Sequence, residues 1–339
     1  MLKALVNEAR LRLDITTQGP LLIKTGYATV IGADMSPVVT SRNGQPEIYL
    51  PGTSLKGVFR SHIEKVVNSI QLRTACNPLL HTNDEKRDER QLYRSFCGDR
   101  FTNSKAPAHE TYAGSCPVCR LFGSTAYIGR ISIEDAYLPA GTFDQQKTIE
   151  RRDGIAIDRL TGGTSGNAKF DLEVVTAGTT FTTELQLRNF EIWQLGMLFI
   201  ILQDMEDELI RIGSGRSRGL GKITARINNE EAERHPGGIV LSTTRTGTIS
   251  PEPDDTLWGL GRWLTHLDQG SAKMYGTEES DLLTLPMQIA HLKKNLRFIR
   301  IFKGEDLTRL KERCTDIFLN KMQQWKFEED APTAAPSRR

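Results

Sequence analysis

Cysteine spacing gives the first piece of chemistry. Cys116-Pro-Val-Cys119 is a CxxC, and Cys97 and Cys76 lie upstream in the same polar, turn-rich stretch. In a reducing compartment such a cluster reads as a metal site before it reads as a disulfide. Four thiolates in a tetrahedron would hold a segment that lacks its own core, as structural zinc does. His81 or His109 could replace Cys76 as the fourth ligand. Unmetallated thiols are the competing reading. A redox CxxC would need a strand-to-helix context that the surrounding residues lack.

The second piece lies in "IYLPGTSLKGVFRSHIEKVV", Ile48 to Val67. A strand-like run ends in Pro51-Gly52-Thr53-Ser54 and passes into a helix bearing Lys56 and Gly57. A helix N-terminus presents unpaired N–H groups and partial positive charge, so it can hold an anion. Lys56 adds a full charge, and the glycines leave room for close approach. A nucleotide P-loop is excluded, because Lys56 precedes the second glycine and no hydroxyl follows. The plain alternative is an ordinary helix capped by Thr53 or Ser54.

The third is "RIGSGRSRGLGKITARI". It carries Arg211, Arg216, Arg218, Lys222 and Arg226 without an acid, among Gly213, Gly215, Gly219 and Gly221. Glycines with small Ser214 and Ser217 let a polyanion lie flat on the chain, and arginines supply bidentate phosphate contacts. The alternative is a solvated loop.

These sites need a scaffold. The 339 residues are 38% apolar and 25% charged with a net charge of +2, so basic surface must be local. No apolar run approaches the roughly 18 residues of a spanning helix. The N-terminal MLKALVNEARLRLDI lacks the apolar core and cleavage site of a signal peptide, so the expected location is cytoplasmic. Leu11 to Thr16, Ile128 to Leu138 and Phe181 to Arg188 alternate as strands do, and Ile48 to Leu50 reads as a short strand or strand end. Leu55, Val58, Phe59, His62, Ile63, Val66 and Val67 share one helical face, which makes His62 a core side chain. Asn189 or Glu191 opens a helix from Ile192 to about Ile210, and Lys222–Ile227 is a strand. Residues 139–171 lack sustained period and read as a projecting loop or ribbon.

The core order is β-α-β-β-α-β, an α+β class. It is the ferredoxin-like split βαβ also used by RNA-recognition domains. Residues 228–255 read as a linker or excursion, and 256–330 as a helical C-terminal extension. Its stripe is Leu307, Leu310, Cys314, Ile317, Phe318, Lys321 and Trp325. The tail 331–339 reads as disordered.

"YLPGTSLKGVFRSHIE", "CPVCRLFGS" and "GSGRSRGLGKI" resemble, in that order, the signature regions of the backbone subunit of type III CRISPR effector complexes. These belong to the repeat-associated mysterious protein (RAMP) superfamily. The resemblance covers about residues 8–227. It implies a ferredoxin-like/RRM-like palm over 1–227 with a fingers-like, zinc-stapled insertion at 71–126. It also implies a thumb hairpin at 139–180 that wedges into the guide–target duplex. The anion is then a guide-RNA phosphate. Its implied ligands are Thr53, Ser54, Lys56 and Arg60 at the junction, and Gly213, Gly215, Arg216, Ser217, Arg218, Gly219 and Lys222 in the loop. Arg151, Arg152 and Arg159 join them from the thumb, where Lys169 adds charge and Ile155 and Ile157 offer apolar wedges.

Active relatives cut target RNA with an aspartate in the loop after the first strand. In "IGADMSPVV" the matching residue is Asp34, separated from Ser36-Pro37 by Met35. It would take the 2′-hydroxyl proton or hold a divalent cation, Mg or Mn. The alternative is a turn cap before Pro37. The implied function is a guide-RNA-binding subunit of a metal-dependent, RNA-guided endoribonuclease in antiviral defence. Its implied partners are guide RNA, target RNA and other effector subunits, with no membrane. The alternative is a structural guide-binding subunit without cleavage. The residues after 228 lie outside the resemblance and are expected to dock on a neighbouring subunit.

Overall fold

Alternation sets the first element. Ala9, Leu11, Leu13 and Ile15 are buried along β1 (Asn7–Thr17), with Arg10, Arg12 and Asp14 on the other face. The hairpin β2 (Val39–Arg42) and β3 (Gln45–Leu50) leads through Pro51 into α1 (Gly52–Ile70). Leu55, Phe59, Ile63 and Val67 bury its apolar face at helical spacing. The cysteine-bearing insertion contains α2 (Cys97–Thr102), α3 (Ala108–Ala113) and α4 (Pro117–Phe122), then β4 (Gly123–Ser124) and β5 (Tyr127–Ile128). β6 (Ile131–Ile133), β7 (Ala136–Tyr137) and a single turn, α5 (Gln145–Thr148), precede a two-stranded ribbon, β8 (Ile149–Ile157) with β9 (Thr164–Val175). β10 (Thr180–Arg188), α6 (Ile192–Glu206) and β11 (Ile223–Ile227) follow. The remaining chain forms β12 (Ile239–Thr244), β13 (Thr256–Trp258), α7 (Leu260–Leu267), α8 (Ser271–Met274), β14 (Leu282–Thr284), β15 (Leu292–Lys294), β16 (Arg297–Phe302) and α9 (Gly304–Gln323).

The computed structural model describes residues 4–24, 33–42, 44–80, 94–102, 106–232, 235–244, 252–268, 270–285 and 287–326. His81 and the tail 331–339 lie outside them. Among the described residues no helix is long and apolar enough to cross a membrane.

Among the described residues ten strands form one sheet, in the order β15-β16-β12-β1-β10-β7-β3-β2, with β11 also on β1 and β6 also on β10. At its centre β11, β1, β10 and β6 run antiparallel to their neighbours, and α1 and α6 share one hydrophobic core with them. Glu191 is the N-cap of α6 and forms a capping box with Gln194.

Several expectations are corrected. Residues 228–255 are not a linker, because they contain β12. β11 pairs with Leu13–Thr17 of β1, and β12 pairs with Asn7–Leu11 on the same edge. The chain therefore leaves the sheet after Ile227 and rejoins it at Ile239. The extension beyond 256 carries four strands besides its helices, and α9 lays Leu307, Leu310, Cys314 and Phe318 into the main core. α9 approaches α6 closely at Gly196, where a Cβ would lie 2.0 Å from the Cys314 carbonyl oxygen. The insertion does not lack a core either, since Cys76, Cys97, Cys116, Val118, Cys119 and Leu121 are part of the same buried cluster. His62 is mostly but not fully buried, at the edge of the core, with Nε2 2.6 Å from Asp204 Oδ2 on α6.

Candidate nucleic-acid interface and metal centre

The four cysteines come from distant parts of the chain. Cys76 lies just after α1, Cys97 opens α2, and Cys116 and Cys119 sit at the N-terminus of α4, where Cys116 Sγ accepts from the Cys119 N–H. All four are buried, and their Sγ atoms lie within 4.8 Å of one another. Cys76 Sγ is 3.5 Å from Cys119 Sγ and 3.6 Å from Cys116 Sγ. A zinc tetrathiolate with bonds of about 2.3 Å has sulfur–sulfur edges of about 3.8 Å, so the set could bind such an ion with little movement. His109 packs edge-on against Tyr275 and is not in the cluster, which leaves Cys76 as the fourth thiol.

The α1 junction differs from its sequence reading. Thr53 and Ser54 do not cap the helix. Pro51 is the N-cap residue, and the Gly52 N–H donates to Asp135 Oδ1 at 2.7 Å. Gly52 is required by the protein itself, because a Cβ there would come within 2.4 Å of the Ile133 carbonyl oxygen on β6. Lys56 Nζ donates to the Ile131 carbonyl at 3.1 Å. Burial, and then the neighbouring Arg60, lower its pKa. The first turn of α1 lines a cleft of about 540 Å³ whose walls include Thr53, Lys56, Arg130, Gln186 and Arg188. Arg130 is only 6% exposed, lies 4.7 Å over the Tyr112 ring, and its Nε has no hydrogen-bond partner. Arg188 is exposed. Sequence reading missed both arginines. For Arg188 the signal existed, because alternation along β10 puts it opposite Leu187 on the polar face.

Arg60 is turned away from this cleft. Its Nε donates to Glu64 Oε1 at 2.8 Å, Nη1 to the Gly123 carbonyl at 3.0 Å, and Nη2 to Cys119 Sγ at 3.3 Å.

In the glycine loop two of the four glycines serve the fold. Gly213 and Gly221 have φ of +79° and +83°, and a Cβ on them would meet Leu22 O at 2.4 Å and Ile212 O at 2.1 Å. Left-handed backbone and close approach both exclude larger residues. Between them Gly215 and Gly219, also left-handed, bracket a 3₁₀ turn that exposes Arg216, Ser217 and Arg218. Arg211 is tied to the Arg216 carbonyl at 2.9 Å, and Lys222 to Glu208 at 2.6 Å.

The loop leans on the ribbon. Arg218 Cζ lies 5.9 Å from the Phe170 ring centre, and Leu220, Leu22 and Val174 pack together with Met35 and Leu172. The segment around Asp34 is stitched to the free edge of β9. The Asp171 N–H donates to Asp34 Oδ2 at 3.1 Å, the Glu173 N–H to Met35 O at 2.9 Å, and Ser36 Oγ to Glu173 Oε2 at 2.8 Å. The exposed Asp34 carboxylate thus stands beside the ribbon about halfway along it, at the Asp153–Asp171 pair, next to the basic loop.

A family model described as the RAMP superfamily matches residues 14–224, well over half of the chain. The chain belongs to the RAMP superfamily. No curated protein matches it. Membership points to a CRISPR-associated RNA-binding subunit.

In this RAMP-superfamily chain the predicted RNA ligands divide into two groups rather than one cradle. Gly52 and Lys56 lie against β6 at the rows of Leu11 and Ala9 on β1, whereas the glycine loop enters β11 opposite Thr17. Six to eight residues of strand separate them, roughly 20–27 Å. The ribbon's cations are partly spent. Arg151 pairs with Asp171, Arg152 with Glu150, and Lys169 with Asp153. Arg159, Ile155 and Ile157 are exposed toward the ribbon tip.

Proposed function

We propose that this chain is a guide-RNA-binding backbone subunit of a type III CRISPR effector, acting in the cytoplasm with target RNA and other effector subunits. In this reading β1-α1-β6/β7-β10-α6-β11 is the ferredoxin-like palm. Its central order β11-β1-β10-β6 supports that assignment, because it corresponds to strands 4-1-3-2 of the split βαβ. The insertion is the fingers, held by structural zinc on Cys76, Cys97, Cys116 and Cys119, and the β8–β9 ribbon is the thumb. The loop arginines Arg216 and Arg218 contact guide phosphates, as do Lys56, Arg130 and Arg188 in the α1 cleft.

One observation carries the cleavage reading: the backbone and side-chain bonds that fix Asp34 and its neighbours to the flank of the ribbon. A ribbon that splays the paired strand would present a target 2′-hydroxyl and its phosphate in line, and positioning is a large catalytic contribution. Asp34 then accepts the hydroxyl proton. Asp34 offers one carboxylate arm, so a magnesium or manganese ion there would draw its other ligands from phosphate and water.

The test is the assembled effector with a defined guide. Asp34→Ala should abolish metal-dependent cutting of complementary RNA and leave guide retention intact. Unchanged cutting would make the chain a structural guide-binding subunit. Absence of RNA retention in low salt would refute both readings.

A further inference from the structure

Arg60 sits on the helix that supplies the RNA cleft, one turn beyond Lys56, and sequence reading gives it to the RNA. Every nitrogen of its guanidinium is already committed. Glu64 holds Nε, the Gly123 carbonyl that follows α4 holds Nη1, and Cys119 Sγ holds Nη2 at 3.3 Å. Its Cζ also lies 5.8 Å from the ring centre of Phe96, the residue before Cys97. The side chain is 18% exposed, so releasing it to a phosphate would break three bonds and leave a buried sulfur without its cation.

A divalent ion on four thiolates leaves the site with a net charge near −2, and such charge inside a protein needs donors. The backbone provides two, from the Cys116 N–H to Cys97 Sγ and from the Cys119 N–H to Cys116 Sγ, each at 3.3 Å. Arg60 adds a cationic donor to sulfur. We infer that Arg60 is the counter-cation of the metal centre, holding the thiolate of Cys119 and joining α1 to the ion-bearing insertion, and is not an RNA ligand. This rests on the proposal that the four cysteines hold zinc.

The test uses the purified full chain. Zinc content of the wild-type protein comes first, and less than stoichiometric metal with all five cysteines present as free thiols would refute the zinc reading itself. With zinc present, Arg60→Gln should release it to a chromogenic chelator about ten- to a hundredfold faster, the usual penalty for losing an outer partner of a metal ligand. Arg60→Lys should recover most of that loss. In the cobalt-substituted protein the thiolate charge-transfer bands should shift in Arg60→Gln and return toward wild type in Arg60→Lys. The salt dependence of RNA binding should be the same in all three zinc-loaded proteins. Zinc release and cobalt spectra unchanged in Arg60→Gln, or a shallower salt slope in that variant, would overturn the assignment and leave the zinc site standing.

Discussion

The two glycines of Pro51-Gly-Thr-Ser-Leu-Lys-Gly57 predict opposite responses to one substitution. Both lie in α1, where alanine is intrinsically favoured over glycine by about 1 kcal/mol. Gly57 is exposed, and a Cβ there meets no atom within 4 Å, so Gly57→Ala should show that gain undiminished. A Cβ on Gly52 would stand 2.4 Å from Ile133 O, against an ordinary contact of 3.4 Å or more, so α1 and β6 must separate by about an ångström. Such overpacking costs about 1–3 kcal/mol. The same displacement stretches the 2.7 Å bond from the Gly52 N–H to Asp135, an N-terminal contact worth about 1 kcal/mol. Set against the propensity gain, Gly52→Ala should destabilise by about 2 kcal/mol. For chains somewhat smaller than this one, each kcal/mol moves the melting midpoint by about 2–4 °C. Thermal unfolding of the two variants should therefore bracket the wild type, with Gly52→Ala about 4–8 °C lower and Gly57→Ala about 2–4 °C higher. Two shifts of the same sign would refute the argument that close helix–strand contact explains Gly52.

Asp281 lies between two helix starts, accepting from the Ile192 N–H of α6 and the Gly261 N–H of α7. Burial, and then the nearby Glu191, push its carboxyl up to about 8, from an ordinary value near 4. The folded chain therefore holds a proton that the unfolded chain has released between those values. The resulting stabilisation is complete below about pH 4 and is lost as pH rises through about 8. Asp281→Asn should flatten the decline of melting temperature between about pH 4 and 8, and an unchanged slope would count against it. Arg188→Gln should weaken single-stranded RNA binding about equally for all sequences and lower the log–log salt slope by about one, as the loss of one phosphate contact does. An unaltered slope would remove the α1 cleft from the RNA path.

Chemistry that depends on residue type was legible in the sequence, and chemistry that depends on direction was not. The cysteine cluster could be read because few other arrangements explain a CxxC with two more thiols upstream. That Cys76 joins the cluster could not, because its place is set by the path of the chain after α1. The basic loop could be read from its charges, but the roles of its glycines could not. Gly213 and Gly221 answer to Leu22 and Ile212, partners distant or unmarked in the sequence. Lys56 and Arg60 are neighbouring cations on one helix, and only the packed structure separates the one lining the cleft from the one facing Cys119.

The C-terminal region failed to read as part of the core for a related reason. Ile239-Val-Leu-Ser-Thr243 shows no alternation because it is buried on both faces, between β1 and β16 in a covered part of the sheet. Two other apolar surfaces lacked an evident partner in the sequence. Ile192-Trp-Gln-Leu-Gly-Met-Leu-Phe-Ile-Ile-Leu202 is apolar around most of its circumference, which a helix lying on one sheet does not require. The α9 stripe had no core assigned to it. They are each other's partner: Cys314 and Phe318 close on α6 at Gly196, and Trp325 stacks edge-on against Trp193 with centroids 5.5 Å apart. Removing α9 would therefore expose the back of the helix that follows β10 and precedes the basic loop. The extension belongs to the scaffold that presents the basic loop, and the matched family segment ending at residue 224 does not contain its whole core.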